Sequence, residues 1–192
     1  MSVFSKFFSN QKSSRSESET ENEPSKNTFA SIQTFLKNLL AADKYIAKSD
    51  YIKYFLENSE LIGYVQKLKT DGFLKDYCRK NGLKVKDVEN SLQNIEKIDD
   101  LIKSHNREFV ERKLKTEKKY LDSILKEIDP AINLDDDQRK VILTDEDYCL
   151  VIAGAGAGKT TTVAAKVKYL VENHNVKPEE ILVVSFTNKA VD

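Results

Sequence analysis

Glycine, proline and cysteine are scarce in this chain, and each scarcity narrows what it can be. Six glycines, three prolines and two cysteines occur in 192 residues. Cys78 and Cys149 are far apart and match no zinc-ligand spacing, so neither a metal knuckle nor a disulfide framework is expected. Free thiols fit a reducing, cytoplasmic compartment. An excess of charge is also missing: 31 basic side chains balance 31 acidic ones. No global field therefore draws the chain to nucleic acid or membrane, and any such contact must come from a local patch. No apolar run approaches the roughly 20 residues that span a bilayer, so no membrane partner is expected. Phe4, Phe7 and Phe8 make the N-terminus greasy, but Ser5 and Lys6 interrupt it, and it lacks the core of a signal peptide.

Three regions follow from composition. Residues 1–27 are rich in Ser, Glu, Asn and Lys without an apolar period, as in Ser13-Ser14-Arg15-Ser16-Glu17-Ser18-Glu19. Such a segment does not repay its ordering entropy and reads as a disordered tail, with a weak docking role as the alternative. Residues 28–129 contain no proline and carry helical spacing. Phe29, Ile32, Leu36 and Leu39 begin it, and Ser49 is a candidate N-cap for a helix with Tyr51, Ile52, Phe55 and Leu56. Leu61, Val65 and Leu68 continue the spacing; Asp71-Gly72 and Asn81-Gly82 read as turns. Val85, Val88, Leu92, Ile95 and Ile102 form one stripe. Val110, Leu114, Leu121, Ile124 and Ile128 form another, whose seam Glu117 breaks. These stripes read as ordinary helix packing, with an arm that docks DNA or a partner as the alternative. Arg107, Arg112, Lys113, Lys115, Lys118 and Lys119 cluster, but Glu108, Glu111 and Glu117 interleave with them, the pattern of a solvated face.

From residue 130 the texture changes. The apolar run Tyr148-Cys149-Leu150-Val151-Ile152 precedes Ala153-Gly154-Ala155-Gly156-Ala157-Gly158-Lys159-Thr160, which holds half of all the glycines. A helical pattern follows through Leu170, then Lys177-Pro178-Glu179-Glu180, then the second apolar run Ile181-Leu182-Val183-Val184-Ser185-Phe186. Apolar run, glycine turn, helix, apolar run is a βαβ crossover. It predicts an α/β domain with a parallel sheet, strands buried on both faces and Cys149 inside one of them. The glycine turn with Gly-Lys-Thr at a helix start is the phosphate-cradling loop. Backbone N–H groups and the helix N-terminus favour a polyphosphate. Lys159 is placed to reach the outer phosphates and Thr160 to ligate Mg²⁺, so ATP with Mg²⁺ is the expected ligand. His105 and His174 read as surface or capping residues, and Asp135-Asp136-Asp137 as an N-cap with favourable first-turn charge.

Two flanking segments join the loop in register. Gln138, in Leu134-Asp135-Asp136-Asp137-Gln138-Arg139, lies 21 residues before Lys159, and Val184-Ser185-Phe186-Thr187-Asn188-Lys189-Ala190 follows the second apolar run. Together the three resemble the opening motifs of UvrD/Rep-type superfamily 1 DNA helicases. The likeness runs from Asn133 to Asp192 and is closest to the helicase IV branch, where a helical region and a segment like His105-Asn106-Arg107-Glu108-Phe109-Val110 precede the motor. The resemblance implies a RecA-like ATP-binding domain over residues 130–192. It implies that Gln138 reads adenine, that Ala153 to Thr161 enclose the phosphates, and that Lys159 is catalytic. Phe186, Thr187, Asn188 and Lys189 would meet single-stranded DNA at a duplex junction, and translocation would run 3′–5′. Ala153 departs from the strict loop pattern as these helicases commonly do, and Ala157 replaces a frequent Ser or Thr. The acidic motif and second lobe of these motors come later in them than residue 192, so this chain alone is expected to be inactive. A non-hydrolysing nucleotide-binding adaptor and an unrelated P-loop NTPase, such as a kinase, remain as alternatives.

Overall fold

The computed structural model describes residues 28–184, and they divide into two compact units, one ending at Asn106 and one starting at Arg107. In the first unit apolar periodicity becomes a helical core. Helix α1 (Phe29–Leu40) buries Phe29, Ile32, Leu36 and Leu39, the four positions its spacing marks. Helices α2 (Ile52–Glu57), α3 (Ser59–Thr70) and α4 (Leu74–Lys80) follow, then α5 (Val85–Glu96) and the start of α6 (Ile98–Thr116). α1 and α4 both pack on α5, so Phe55, Ile62, Val65, Val88, Leu92, Ile95 and Ile98 share one closed core. Phe35 stacks on Tyr54 with ring centroids 3.8 Å apart and sets its edge against Phe55 at 5.6 Å.

The turns here are built where the backbone demands glycine. Gly72 and Gly82 sit at φ 84° and 64°, just past the ends of α3 and α4, a conformation an L side chain resists. Ser49 does not cap α2. It lies inside a short 3-10 turn, Lys48–Asp50, that Asp50 closes by accepting the Ala47 N–H at 2.8 Å. A carboxylate competes better than a hydroxyl for that donor. The stripe from Val85 to Ile102 belongs to two helices, because α5 ends at Glu96 and α6 begins at Ile98.

One buried polar side chain ties this unit together. Asn106 is 8% exposed, accepts the Ile46 N–H at 2.9 Å and donates to the Ile46 carbonyl at 2.9 Å. It thereby satisfies both main-chain groups of a fully buried residue in an irregular segment, where no helix or sheet does so. His105 beside it meets the Lys44 carbonyl at 2.9 Å.

The second unit contains the end of α6, helix α7 (Lys118–Ser123), helix α8 (Asp136–Leu143) and helix α9 (Lys159–Asn173). Its core is Leu121, Ile124, Leu125, Leu134, Ile142, Leu143, Ala165 and Tyr169, with Val110 and Leu114 against it. Glu117, the apparent break in the second stripe, separates α6 from α7 and is turned inward. It accepts from Lys113 Nζ at 2.7 Å and from the Tyr169 hydroxyl at 3.2 Å. Ile128, by contrast, is 72% exposed.

The expected α/β parallel sheet is not what forms: the described residues are helical and contain no strand. Tyr148, Leu150 and Ile152 are 94%, 85% and 89% exposed, and Leu182 and Val184 are 88% and 80% exposed. Cys149, expected inside a strand, is exposed as well. The physical reason lies in what an apolar run needs. It becomes a buried strand only when ladder partners and covering layers are present on both sides, and an isolated strand pair is marginal in water. Here the helices α8 and α9 pack on each other and close the core without either run.

Two outcomes test this packing. Asn106→Leu removes both bonds to Ile46 and leaves two buried main-chain groups unpaired, so urea unfolding should show a loss of about 2–4 kcal/mol. An unchanged midpoint would show that the bridge contributes nothing. The second concerns pH. Burial and the neighbouring carboxylates Glu172 and Glu117 hold the Tyr120 and Tyr169 phenols well above the ordinary tyrosine range. Raised folded values mean that the stabilisation is complete below the unfolded pKa of about 10 and is lost as pH rises through the folded values. Melting temperature should fall more steeply above about pH 10 in the native chain than in Tyr120→Phe/Tyr169→Phe; parallel curves would contradict the assignment.

Candidate nucleotide site

The site grows from the start of α9. Gly158 is its N-cap residue, in the left-handed region at φ 72°, and Gly156 two residues earlier has φ 75°. These two reversals turn the chain sharply into the helix, which is what glycine at these positions permits. The Gly158 carbonyl accepts the Thr162 N–H at 2.8 Å and the Thr162 hydroxyl at 3.0 Å, starting the helix firmly. Ala157 N–H meets the Gly154 carbonyl at 3.4 Å, so the loop closes on itself. Its residues Gly154 to Ala157 are exposed.

Lys159 lies inside this curve. Its ammonium donates to the carbonyls of Ala153 at 2.9 Å and Gly154 at 2.7 Å. A cation is therefore stored against the loop, within reach of any anion the loop holds. Thr160 is exposed on the first helical turn and Thr161 is half-buried beside it. The N–H groups of this first turn have no partner inside the helix by construction, and they carry the positive end of its dipole.

Gln138 is brought to the same loop by α8. Asp135 caps that helix: its Oδ1 accepts the Gln138 N–H at 2.8 Å, and Gln138 Oε1 accepts the Asp135 N–H at 2.9 Å. The capping role expected of the aspartate run thus belongs to Asp135, with Asp136 and Asp137 in the first turn. The reciprocal bond from Gln138 has its sequence signal in the spacing Asp-x-x-Gln, a capping box that the adenine-reading role of Gln138 does not include. Gln138 Nε2 then donates to the Ala157 carbonyl at 3.3 Å. A methyl group added at Gly158 would stand 2.5 Å from that same nitrogen. Glycine is favoured here for its φ, and an added methyl group would have to push the Gln138 amide aside.

Other contacts fix α8 in place. Arg139 donates to Asp122 of α7 at 2.6 Å and to Asp136 at 3.0 Å. Lys126 donates to the Pro130 carbonyl and to Asn133, both at 2.8 Å, shaping the approach to α8. Lys166 of α9 donates to the carbonyls of Ile142 at 2.8 Å and Thr144 at 2.7 Å. No sequence pattern singles out Lys166. Its burial lowers its pKa, opposed by the nearby Asp145 carboxylate. His174, expected to be a surface or capping residue, follows α9 with Nδ1 3.6 Å from Asp145. The predicted DNA contacts Phe186, Thr187, Asn188 and Lys189 lie outside the described residues. No cluster of metal-ligating side chains occurs among the described residues.

A glycine-turned loop, a lysine folded onto it and a helix N-terminus meet at the start of α9, where the sequence pattern predicts a phosphate loop. Comparison with known proteins adds a likeness over part of the chain. Residues 134–192 match the family model of the UvrD/REP helicase N-terminal domain. The ATP-dependent DNA helicase PcrA of Staphylococcus epidermidis is 40% identical over 58 residues, 30% of this chain and 8% of that protein. The ATP-dependent DNA helicase Rep of Buchnera aphidicola is 42% identical over 59 residues, 31% of this chain and 9% of that protein. The mitochondrial ATP-dependent DNA helicase HMI1 of Saccharomyces cerevisiae is 62% identical over 42 residues, 22% of this chain and 6% of that protein. The chain therefore spans under a tenth of the length of these relatives. No solved structure matches it. The similarity to UvrD/Rep-type helicases is as the motifs indicated, and it gives the unrelated-kinase alternative no support.

Gly158→Ala should displace Gln138 from the loop and strain the helix start. The expected result is a loss of roughly 1–3 kcal/mol in thermal or urea unfolding, with a changed resonance for the Gln138 side-chain amide. An unperturbed amide signal would contradict the close approach.

Proposed function

We propose that residues 153–161 bind the triphosphate of ATP together with Mg²⁺, as the nucleotide-binding front of an ATP-dependent DNA helicase that moves 3′–5′. The observation that carries this reading is the Lys159 ammonium held within a loop whose two left-handed glycines open into α9. Its support is that this loop lies within the segment similar to the helicase N-terminal domain.

The chain's own groups suggest how binding would proceed. Lys159 would exchange two neutral carbonyls for phosphate oxygens, gaining charge–charge attraction where it now has only charge–dipole bonds. The first-turn N–H groups of α9 would add main-chain donors at the positive end of the dipole. Thr160 fits a hard cation, because an exposed hydroxyl at this position supplies one oxygen ligand while phosphates and water supply the rest. That Mg²⁺ would neutralise charge on the phosphates as it does in other P-loop proteins. Gln138 would read adenine by turning its donor–acceptor amide from Ala157 and Asp135 to the base edge.

The remainder of the reading concerns partners. Phe186 would stack on a base, and Thr187, Asn188 and Lys189 would hold the sugar-phosphate chain of single-stranded DNA at a duplex junction. Two free cysteines suit a cytoplasmic setting. Among the described residues no helix is long and apolar enough to cross a membrane.

Titration with Mg·ATP, followed by amide chemical shifts, tests the central claim. Gly154 to Thr161 should shift most, and Lys159→Ala should weaken binding by about tenfold or more, the worth of one charge-assisted bond. Equal affinity in Lys159→Ala, or shifts confined to other residues, would refute it.

A further inference from the structure

Base recognition needs more than the right amide; it needs that amide at the right distance from the phosphates. Gln138 is carried by α8, only eight residues long. A helix of this length has little stability of its own, and its orientation is set by whatever anchors its ends. At the N-terminal end the tie to the phosphate loop is weak: one bond of 3.3 Å from Gln138 Nε2 to the Ala157 carbonyl, which adenine binding would break. The C-terminal anchor is Lys166. Its ammonium donates to Ile142 and Thr144, carbonyls at the end of α8 that the helix itself leaves without partners. A cation there also meets the negative end of the α8 dipole. Lys166 is two turns beyond Lys159 on one continuous helix. The helix that begins at the phosphate loop therefore also grips the far end of the helix carrying Gln138. Asp145, 3.9 Å from the ammonium, adds a charge partner.

We propose that Lys166 is a positioning residue for nucleotide selection: by tying the end of α8 to α9 it fixes the span from Gln138 to the phosphate loop, and so sets the preference for adenine over guanine. This rests on the reading of Gln138 as the group that recognises the base. When Gln138 leaves Ala157 for the nucleotide, the Lys166 clamp remains, and α8 keeps its distance from the loop instead of rocking about its own centre. The clamp suits this purpose because its bonds are short, its donor is charged, and it sits at the opposite end of α8 from Gln138. Arg139 holds α8 to α7, and so it does not fix the distance to the loop of α9.

Equilibrium binding of fluorescent Mg·ATP and Mg·GTP analogues to the full chain tests the proposal. The readout is the ratio of the two affinities, with melting temperature recorded alongside. Gln138→Ala should bring the ratio close to one. Lys166→Met should lower the ratio roughly tenfold, as for the loss of one well-placed hydrogen bond, while GTP binding changes little. Lys166→Arg, which keeps a cation able to donate to both carbonyls, should restore it. If Lys166→Met does not fold, Lys166→Gln, which still donates to one carbonyl, carries the same comparison. A Lys166 variant that melts earlier yet keeps the full ratio, or loses both nucleotides in parallel, overturns the positioning role and leaves that of Gln138 intact. An unmutated chain that binds the two nucleotides equally removes the base-reading role of Gln138 itself.

Discussion

The packing of α8 on α9 is the constraint on which the proposed nucleotide site depends. Ile142 and Leu143 close with Ala165 and Tyr169 in one core, and this contact brings the helix carrying Gln138 beside the loop before α9. Neither helix carries the site alone. α9 supplies the dipole, the lysine and the glycine-shaped entrance. α8 supplies an amide that is already bonded to that entrance. Burial of four apolar side chains holds the pair together, and the bonds at their ends orient it. Hydrophobic contact is non-directional, so the polar bonds are what give the pair a defined register.

Lysines in this unit work by exchange. Lys159 is held by two loop carbonyls and Lys166 by two helix-end carbonyls, with similar lengths but opposite exposure. The exposed ammonium is free to swap neutral partners for anionic ones. The half-buried one is not, because separating it from its carbonyls would leave a charge with poor solvation. The same chemistry thus leaves an exchangeable cation at one end of the helix and builds architecture two turns later. Glu117 shows the converse, a carboxylate that looks solvated in sequence but gathers Lys113 and Tyr169 at the edge of the core.

The first unit follows a different logic. Its core is aromatic and aliphatic, and the deeply placed amide of Asn106 serves the backbone of Ile46. Its helical stripes are ordinary packing surfaces. Val88, Leu92 and Ile95 are all fully covered within that unit. Burial of those positions accounts for their pattern without a ligand.

What the amino-acid order determined by itself is local. Helical period placed Phe29, Ile32, Leu36 and Leu39 inside, because a 3.6-residue repeat leaves one face to bury. Asp71-Gly72 and Asn81-Gly82 marked turns, since only glycine takes those φ values without strain. Glycine spacing before Lys159 marked the sharp entry into α9 for the same reason. Tertiary structure alone decided the rest. Apolar runs at 148–152 and 181–184 have the composition of strands, yet they lie exposed, because a strand exists only through hydrogen bonds to other strands. Lys166 had no signature, because its partners are main-chain carbonyls more than twenty residues away that any sequence possesses. Local preference is written in side chains, whereas ladder pairing and carbonyl capture depend on which backbones meet.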